Sequence, residues 1–192
     1  MPCMPLKGKK AILAVSGGIA AFKALAVVRL LKRHGADPFV VMTRHATQFM
    51  APDSFAMWSG HPVSTDLFAP LKTWDMEHIA LAHEAELVLV VPATANFLTK
   101  LAMGVADDLL STLMVVLADR APVFLAPAMN THMYTNDVIQ HRLNTLRQRP
   151  HIEVIEPEHG RLASRLEGEG MGRLAEPETI LSQVIARMQQ MT

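Results

Sequence analysis

The sequence predicts a single-domain α/β protein: a doubly wound parallel sheet between two helical layers, Rossmann-like or flavodoxin-like in its three-layer α/β/α arrangement. Three observations carry this expectation. Short, nearly continuous apolar runs of strand length alternate with longer segments of helical period. The first run, Ala11-Ile12-Leu13-Ala14-Val15, passes through Ser16-Gly17-Gly18 straight into such a helical segment. Two later runs end alike, Leu87-Val88-Leu89-Val90-Val91 in Pro92-Ala93-Thr94-Ala95-Asn96 and Val123-Phe124-Leu125-Ala126 in Pro127-Ala128-Met129-Asn130. Both strands are expected to stop at the proline. In an open parallel sheet such exits line the ligand crevice, so both segments should face one pocket.

The elements follow in order. Residues 11–15 are bounded by lysines and by the glycine turn, and their unbroken apolar character predicts a strand covered on both faces. Residues 19–34 place Ala20, Lys23, Ala24, Val27, Val28 and Leu31 at helical spacing, and Gly35 is suited to a left-handed stop. Residues 39–42 form the next strand, followed by Thr43-Arg44-His45-Ala46, and residues 51–58 a short helix with Pro52 near its start. Periodicity is lost over 60–75. A helix over 77–85 leads into the strand at 87–91, and helices run to Met103 and, after Gly104-Val105-Ala106-Asp107-Asp108, to Leu117. The strand from Val123, a helix over 136–149, a strand over 152–155 and a helix over 177–191 complete the pattern. The segments left without regular structure, 60–75 and 157–176, are the candidate lids.

Composition narrows the function classes. With 192 residues, half of them apolar, the chain can bury a full core. The 18 basic and 18 acidic side chains cancel, which argues against a strongly basic nucleic-acid surface and for small molecules or other protein chains as partners. A single cysteine, Cys3, excludes an intramolecular disulfide framework. No apolar run approaches the ~20 residues needed to span a bilayer, and the N-terminal segment lacks a secretory pattern, so no membrane and a cytoplasmic location are expected.

Ser16-Gly17-Gly18 opens a helix and can surround a phosphate with N–H groups and a hydroxyl, although the same residues also make a simple tight turn. The glycine spacing differs from the dinucleotide fingerprint. Thr43 and Arg44 at the neighbouring strand exit add a donor and a positive charge, which together favour an anionic cofactor such as a mononucleotide. Asn96 and Asn130 serve either as helix caps or as paired donor and acceptor groups for a substrate, and Met129 can cover a flat ring. Among nine histidines, His78 follows the irregular segment and has an imidazole suited to acid–base work near neutrality; a surface or capping role is the alternative. No His/Cys spacing points to a metal.

The ordered motifs resemble the flavin-containing cysteine decarboxylases. The resemblance rests on Ser16-Gly17-Gly18-Ile19-Ala20-Ala21-Phe22-Lys23, His78-Ile79, Pro92-Ala93-Thr94-Ala95-Asn96, the segment from Gly104 to Thr112, and Pro127-Ala128-Met129-Asn130-Thr131-His132-Met133-Tyr134. It runs from about residue 8 to residue 185 and is nearest to the branch serving coenzyme A biosynthesis. It implies a flavoprotein domain over 8–189 with 157–176 as a substrate flap. It implies bound FMN, held by Ser16, Gly17, Gly18, Thr43 and Arg44 at the phosphate and by Pro92, Ala93, Thr94, Asn96, Ala106, Asp107 and Met129 nearer the ring. It further implies trimers assembled into a dodecamer, with the active site completed across a trimer contact.

The chemistry implied is decarboxylation of 4'-phosphopantothenoylcysteine to 4'-phosphopantetheine: thiol oxidation creates the electron sink that a β-carboxylate otherwise lacks, and the resulting enethiol is then reduced. His78 matches the family's catalytic histidine, Asn130 its substrate-carboxylate asparagine with Met133 alongside, and the basic flap residue Arg165 would meet a substrate phosphate. Phe22 replaces a common tyrosine. Ser164 stands where the family has a cysteine that serves the final reduction, in a flap slightly longer than usual. A thiol, with a reference pKa of about 8.5, is a far better proton donor than a serine hydroxyl. Two other readings are therefore kept: an oxidative cysteine decarboxylase releasing an enethiol from a peptide or related thiol, and a non-catalytic FMN-binding regulatory subunit.

Overall fold

The structure is a computed structural model and describes residues 4–69, 76–164, 166 and 168–191. Strand β1 (Lys10–Val15) leads through the glycine turn into α1 (Ala21–Arg33). That helix ends as its sequence requires: Gly35 takes φ +87°, the Ala36 N–H donates to Leu31 O and the Gly35 N–H to Lys32 O, the double bond pattern of a glycine-terminated helix. Strand β2 (Asp37–Met42) starts earlier than its apolar run, because as the outer strand it tolerates Pro38, which has no N–H to donate. Helices α2 (Pro52–Ser59) and α3 (Glu77–Glu84) precede β3 (Leu87–Ala93).

Strand β3 does not stop at its proline. It continues through Pro92 and Ala93, with a cis Val91–Pro92 bond and a shift of register against its neighbour between Val90 and Ala93. The missing proline N–H interrupts the ladder without ending the strand. Helices α4 (Ala95–Met103) and α5 (Leu109–Leu117) come next, then β4 (Val123–Pro127). A four-residue helix that the periodicity did not predict, α6 (Thr131–Tyr134), separates it from α7 (Asp137–Arg147), β5 (Ile152–Val154) and the second candidate lid. That lid is a β-hairpin, β6 (Glu158–Arg161) and β7 (Glu169–Arg173), before the closing helix α8 (Pro177–Gln190).

The five parallel strands run in the order β2-β1-β3-β4-β5, the flavodoxin-like doubly wound order. Alternation along the strands supplies two cores. Leu13, Val15, Leu87, Leu89 and Val91 pack with α1 and α8, whereas Ile12, Ala14, Val88 and Val90 pack with α4, α5 and α7. Each such fully buried side chain contributes on the order of 1.5–3 kcal/mol. The order reverses between β1 and β3, so their carboxyl ends open a crevice at the switch point. Among the described residues no helix is long and apolar enough to cross a membrane.

Candidate functional site

A cleft of about 1180 Å³ occupies that switch point. Its floor is built by Ser16, which is 1% exposed and whose hydroxyl donates to Pro92 O at 2.7 Å and accepts from the Thr94 N–H at 3.0 Å. Ser16 therefore ties the exits of β1 and β3 together. Its hydroxyl proton is thereby engaged within the protein, while Ser16 itself lines the cleft. The donors that remain are backbone ones. The N–H groups of Gly17, Gly18 and Ile19, all lining the cleft, bond to no other described residue.

The glycines are required by close approach. A Cβ on Gly17 would overlap the Cβ of His45 and lie 2.8 Å from its carbonyl carbon, and one on Gly18 would lie 3.2 Å from Thr94 Cγ2. Three strand exits thus converge where a side chain would hold them apart. The Thr43 hydroxyl accepts from the Ala46 N–H at 3.2 Å, shaping the turn that presents Arg44 and His45 to the cleft.

Pro92 and Ala93 lie buried within β3 and do not line the cleft, because the strand continues through them; Pro92 acts through its carbonyl on Ser16. Thr94 and Asn96 line it, the latter exposed in the first turn of α4 and not as its cap. Ala106 and Asp107 are exposed outside it, whereas the neighbouring Asp108 lines it. Asp108 caps α5 through the Ser111 N–H at 2.8 Å and pairs with Lys100 at 2.9 Å. Burial would raise the Asp108 pKa, but these bonds outweigh it and hold the carboxyl below its ordinary range. Burial would likewise lower that of Lys100, yet Asp107 and Asp108 keep it raised.

Asn130 takes the capping alternative with one end of its amide and keeps the other end free. Its Oδ1 accepts from the Met133 N–H at 3.0 Å as the cap of α6, which leaves the amide NH2 for a ligand in the cleft. Met129 and Met133 line the cleft beside it. The hairpin forms the opposite wall. The Met129 N–H donates to Gly172 O at 3.0 Å and the Thr131 hydroxyl to Met171 O at 2.8 Å. Gly170 and Gly172 are needed here, since a Cβ on either would overlap Thr131 Oγ1 or Met129 O. At its base Arg173 pairs with Glu176 and Glu158, and Lys23 with Glu176 at 3.0 Å. The Lys23 bond is the main cause holding Glu176 below its ordinary pKa.

Ser164 lines the cleft, and its hydroxyl accepts from the Leu166 N–H at 3.3 Å; Arg165 lies outside the described residues. His78 does not reach the cleft of its own chain. It sits half-buried on α3, flanked by the exposed apolar Met76 and Ile79. Sequence reasoning missed Lys23, His45 and Lys100 as lining groups, while Arg161 and Arg173, basic residues of the expected flap, line the cleft. Lys23 alone carried a usable signal, one helical turn beyond Ile19 and so on the same face.

A crevice at the switch point of a doubly wound sheet, with unpartnered N–H groups at a glycine loop, defines a protein that binds a phosphate-bearing ligand. The chain belongs to the Flavoprotein family, whose pattern matches residues 4–189. It is 42% identical over 180 residues to the Coenzyme A biosynthesis bifunctional protein CoaBC of Haemophilus influenzae, covering 93% of this chain and 44% of the relative. To CoaBC of Escherichia coli strain K12 it is 43% identical over 184 residues, covering 95% and 44%. The chain thus spans less than half the length of these relatives. In structure it resembles a PPC decarboxylase carrying a cysteine-to-serine change and complexed with pantothenoylaminoethenethiol (TM-score 0.83, 29% identity, 97% of this chain and 100% of the other). It also resembles the FMN binding protein AtHal3 (TM-score 0.82, 28% identity, 96% and 98%).

Proposed function

We propose that this chain is an FMN-dependent decarboxylase converting 4'-phosphopantothenoylcysteine to 4'-phosphopantetheine in coenzyme A biosynthesis, in the cytoplasm. One observation carries the reading: a single cleft offers N–H groups and an Arg44 side chain without partners among the described residues at one end, and an equally unpartnered Asn130 amide NH2 at the other. The residues fit FMN. Gly17, Gly18, Ile19, Thr43 and Arg44 would hold its phosphate, while Ile19, Phe22 and Met129 offer apolar surface to a ring, the first two being 58% and 57% exposed. The names of the CoaBC and PPC decarboxylase relatives support the same activity.

When bound, FMN supplies the two-electron sink that takes the substrate thiol to a thioaldehyde, so that the carboxylate can leave as carbon dioxide. The Asn130 amide orients that carboxylate by donating to it. His78 acts as base or orienting group and is supplied by a neighbouring copy, the site being completed across a trimer contact within a dodecamer of trimers. Exposed apolar Phe68, Met76 and Ile79 on the side of the molecule that carries His78 support such an assembly.

A second reading is favoured by Ser164. The similar decarboxylase with serine in place of a cysteine holds an enethiol, and here serine is the chain's own residue in the cleft. In that reading the enethiol is released. Incubation with 4'-phosphopantothenoylcysteine, with products resolved by mass, separates the two: pantetheine phosphate supports the first, and a product two hydrogens lighter, found alone, overturns it. His78→Asn is expected to lower carbon dioxide release by about 100-fold or more while flavin stays bound; unchanged release would remove His78 from the reaction.

A further inference from the structure

Among the described residues five permanent cations line the cleft, Lys23, Arg44, Lys100, Arg161 and Arg173, against one acid, Asp108. Three of the five are neutralised locally: Lys23 by Glu176 at 3.0 Å, Lys100 by Asp108 at 2.9 Å, and Arg173 by Glu158 at 3.8 Å and by Glu176. The side chains of Arg44 and Arg161 have no partner among the described residues. An unpaired guanidinium in a cleft whose other charges are balanced is a site for an anion, and its planar fork suits phosphate.

The two stand on different walls. Arg44 follows β2 beside the glycine loop, whereas Arg161 ends β6 on the hairpin, three residues before Ser164. The proposed function places the cofactor's phosphate at Arg44 and the reacting carboxylate at Asn130. Among the described residues a third anionic group then has Arg161 to meet; Arg165, the flap residue that the resemblance put at the substrate phosphate, lies outside them. Resting on that reading, we propose that Arg161 selects the substrate: it binds a phosphate monoester at the end remote from the cysteine carboxylate, and so makes this chain prefer a phosphorylated thiol to a peptide or an unphosphorylated one. A peptide ending in cysteine carries no phosphate monoester for the guanidinium to bind.

The test compares carbon dioxide release from 4'-phosphopantothenoylcysteine and from pantothenoylcysteine, read as the ratio of kcat/KM values. The unaltered protein is expected to favour the phosphorylated compound by at least about tenfold. Arg161→Gln should bring the ratio close to one and Arg161→Lys should leave part of it. Because the ratio cancels any general loss of folding or flavin, a purely structural role for Arg161 would lower both rates and leave it unchanged. An unchanged ratio in Arg161→Gln, or equal turnover of both compounds by the unaltered protein, overturns the assignment and leaves the decarboxylase reading standing. Turnover of neither compound by flavin-loaded protein overturns both.

Discussion

The two walls of the cleft are built on opposite plans. The strand-exit wall is made of backbone held by the sheet: Ser16 joins β1 to β3, and Gly17 lets the turn after β2 close upon them. The hairpin wall is docked from outside, by two hydrogen bonds onto the Met129–Thr131 segment and an ion-pair chain at its base. Donors suited to a fixed cofactor come from the first wall, and the residues proposed to distinguish substrates and products, Arg161 and Ser164, come from the second. A sheet tolerates little change at its switch point, while a two-stranded hairpin can be altered without disturbing the core.

Matched glycine substitutions break or sharpen this contrast most strongly. Gly17→Ala forces backbone against backbone at His45, so a loss of about 1–3 kcal/mol of stability is expected together with flavin release. Gly172→Ala meets Met129 O and sits at φ +117°, yet it disturbs only the docked wall. Turnover should fall while flavin remains. Thermal unfolding and flavin content after gel filtration measure both; flavin loss from Gly172→Ala equal to that from Gly17→Ala would end the division between walls.

Asn130 lies where the walls meet, and Asn130→Asp separates its two duties. Aspartate still accepts from the Met133 N–H as a cap but loses the amide donor and places like charge against a substrate carboxylate. Stability is expected to stay within about 0.5 kcal/mol, while kcat/KM falls by about 30-fold, or roughly 2 kcal/mol. Equal losses in stability and activity would reduce Asn130 to a cap.

The same division decided what the sequence revealed. Strands β1, β3 and β4 are buried on both faces, so their apolar runs announced the sheet and its switch point, and the glycine loop between them was legible. Pro92 suggests a strand end because proline lacks the ladder N–H, yet pairing of Ala93 with Pro127 of β4 carries β3 past it. Residues β6 and β7 contain three glycines and alternating charges with no apolar period, so the hairpin was read as loop. Of the adjacent acids Asp107 and Asp108, both within reach of Ser111, only the second lines the cleft, a difference of placement that the sequence does not display. His78 is identified by resemblance, and its absence from its own chain's cleft is a matter of tertiary placement that no local pattern encodes.

The smallest effect concerns acid. Asp108 on the strand-exit side and Glu176 at the base of the hairpin both have depressed carboxyl pKa values, so each adds stability that is complete above its unfolded value, about 3.9 for Asp and 4.3 for Glu, and is lost as pH falls through the folded value. Their surroundings differ. The Asp108 side chain is 30% exposed and bonded to a backbone N–H, whereas that of Glu176 is 41% exposed and relies on Lys23 and Arg173. Exposed ion pairs are screened by salt, while a bond to a helix N–H is not. Thermal unfolding between pH 7 and pH 3 should therefore show that Asp108→Asn flattens the acid loss equally at low and high salt, and that Glu176→Gln flattens it only at low salt. If both respond to salt alike, the hairpin is tied to the sheet as firmly as the strand exits are to one another, and the contrast between the walls lies in sequence alone.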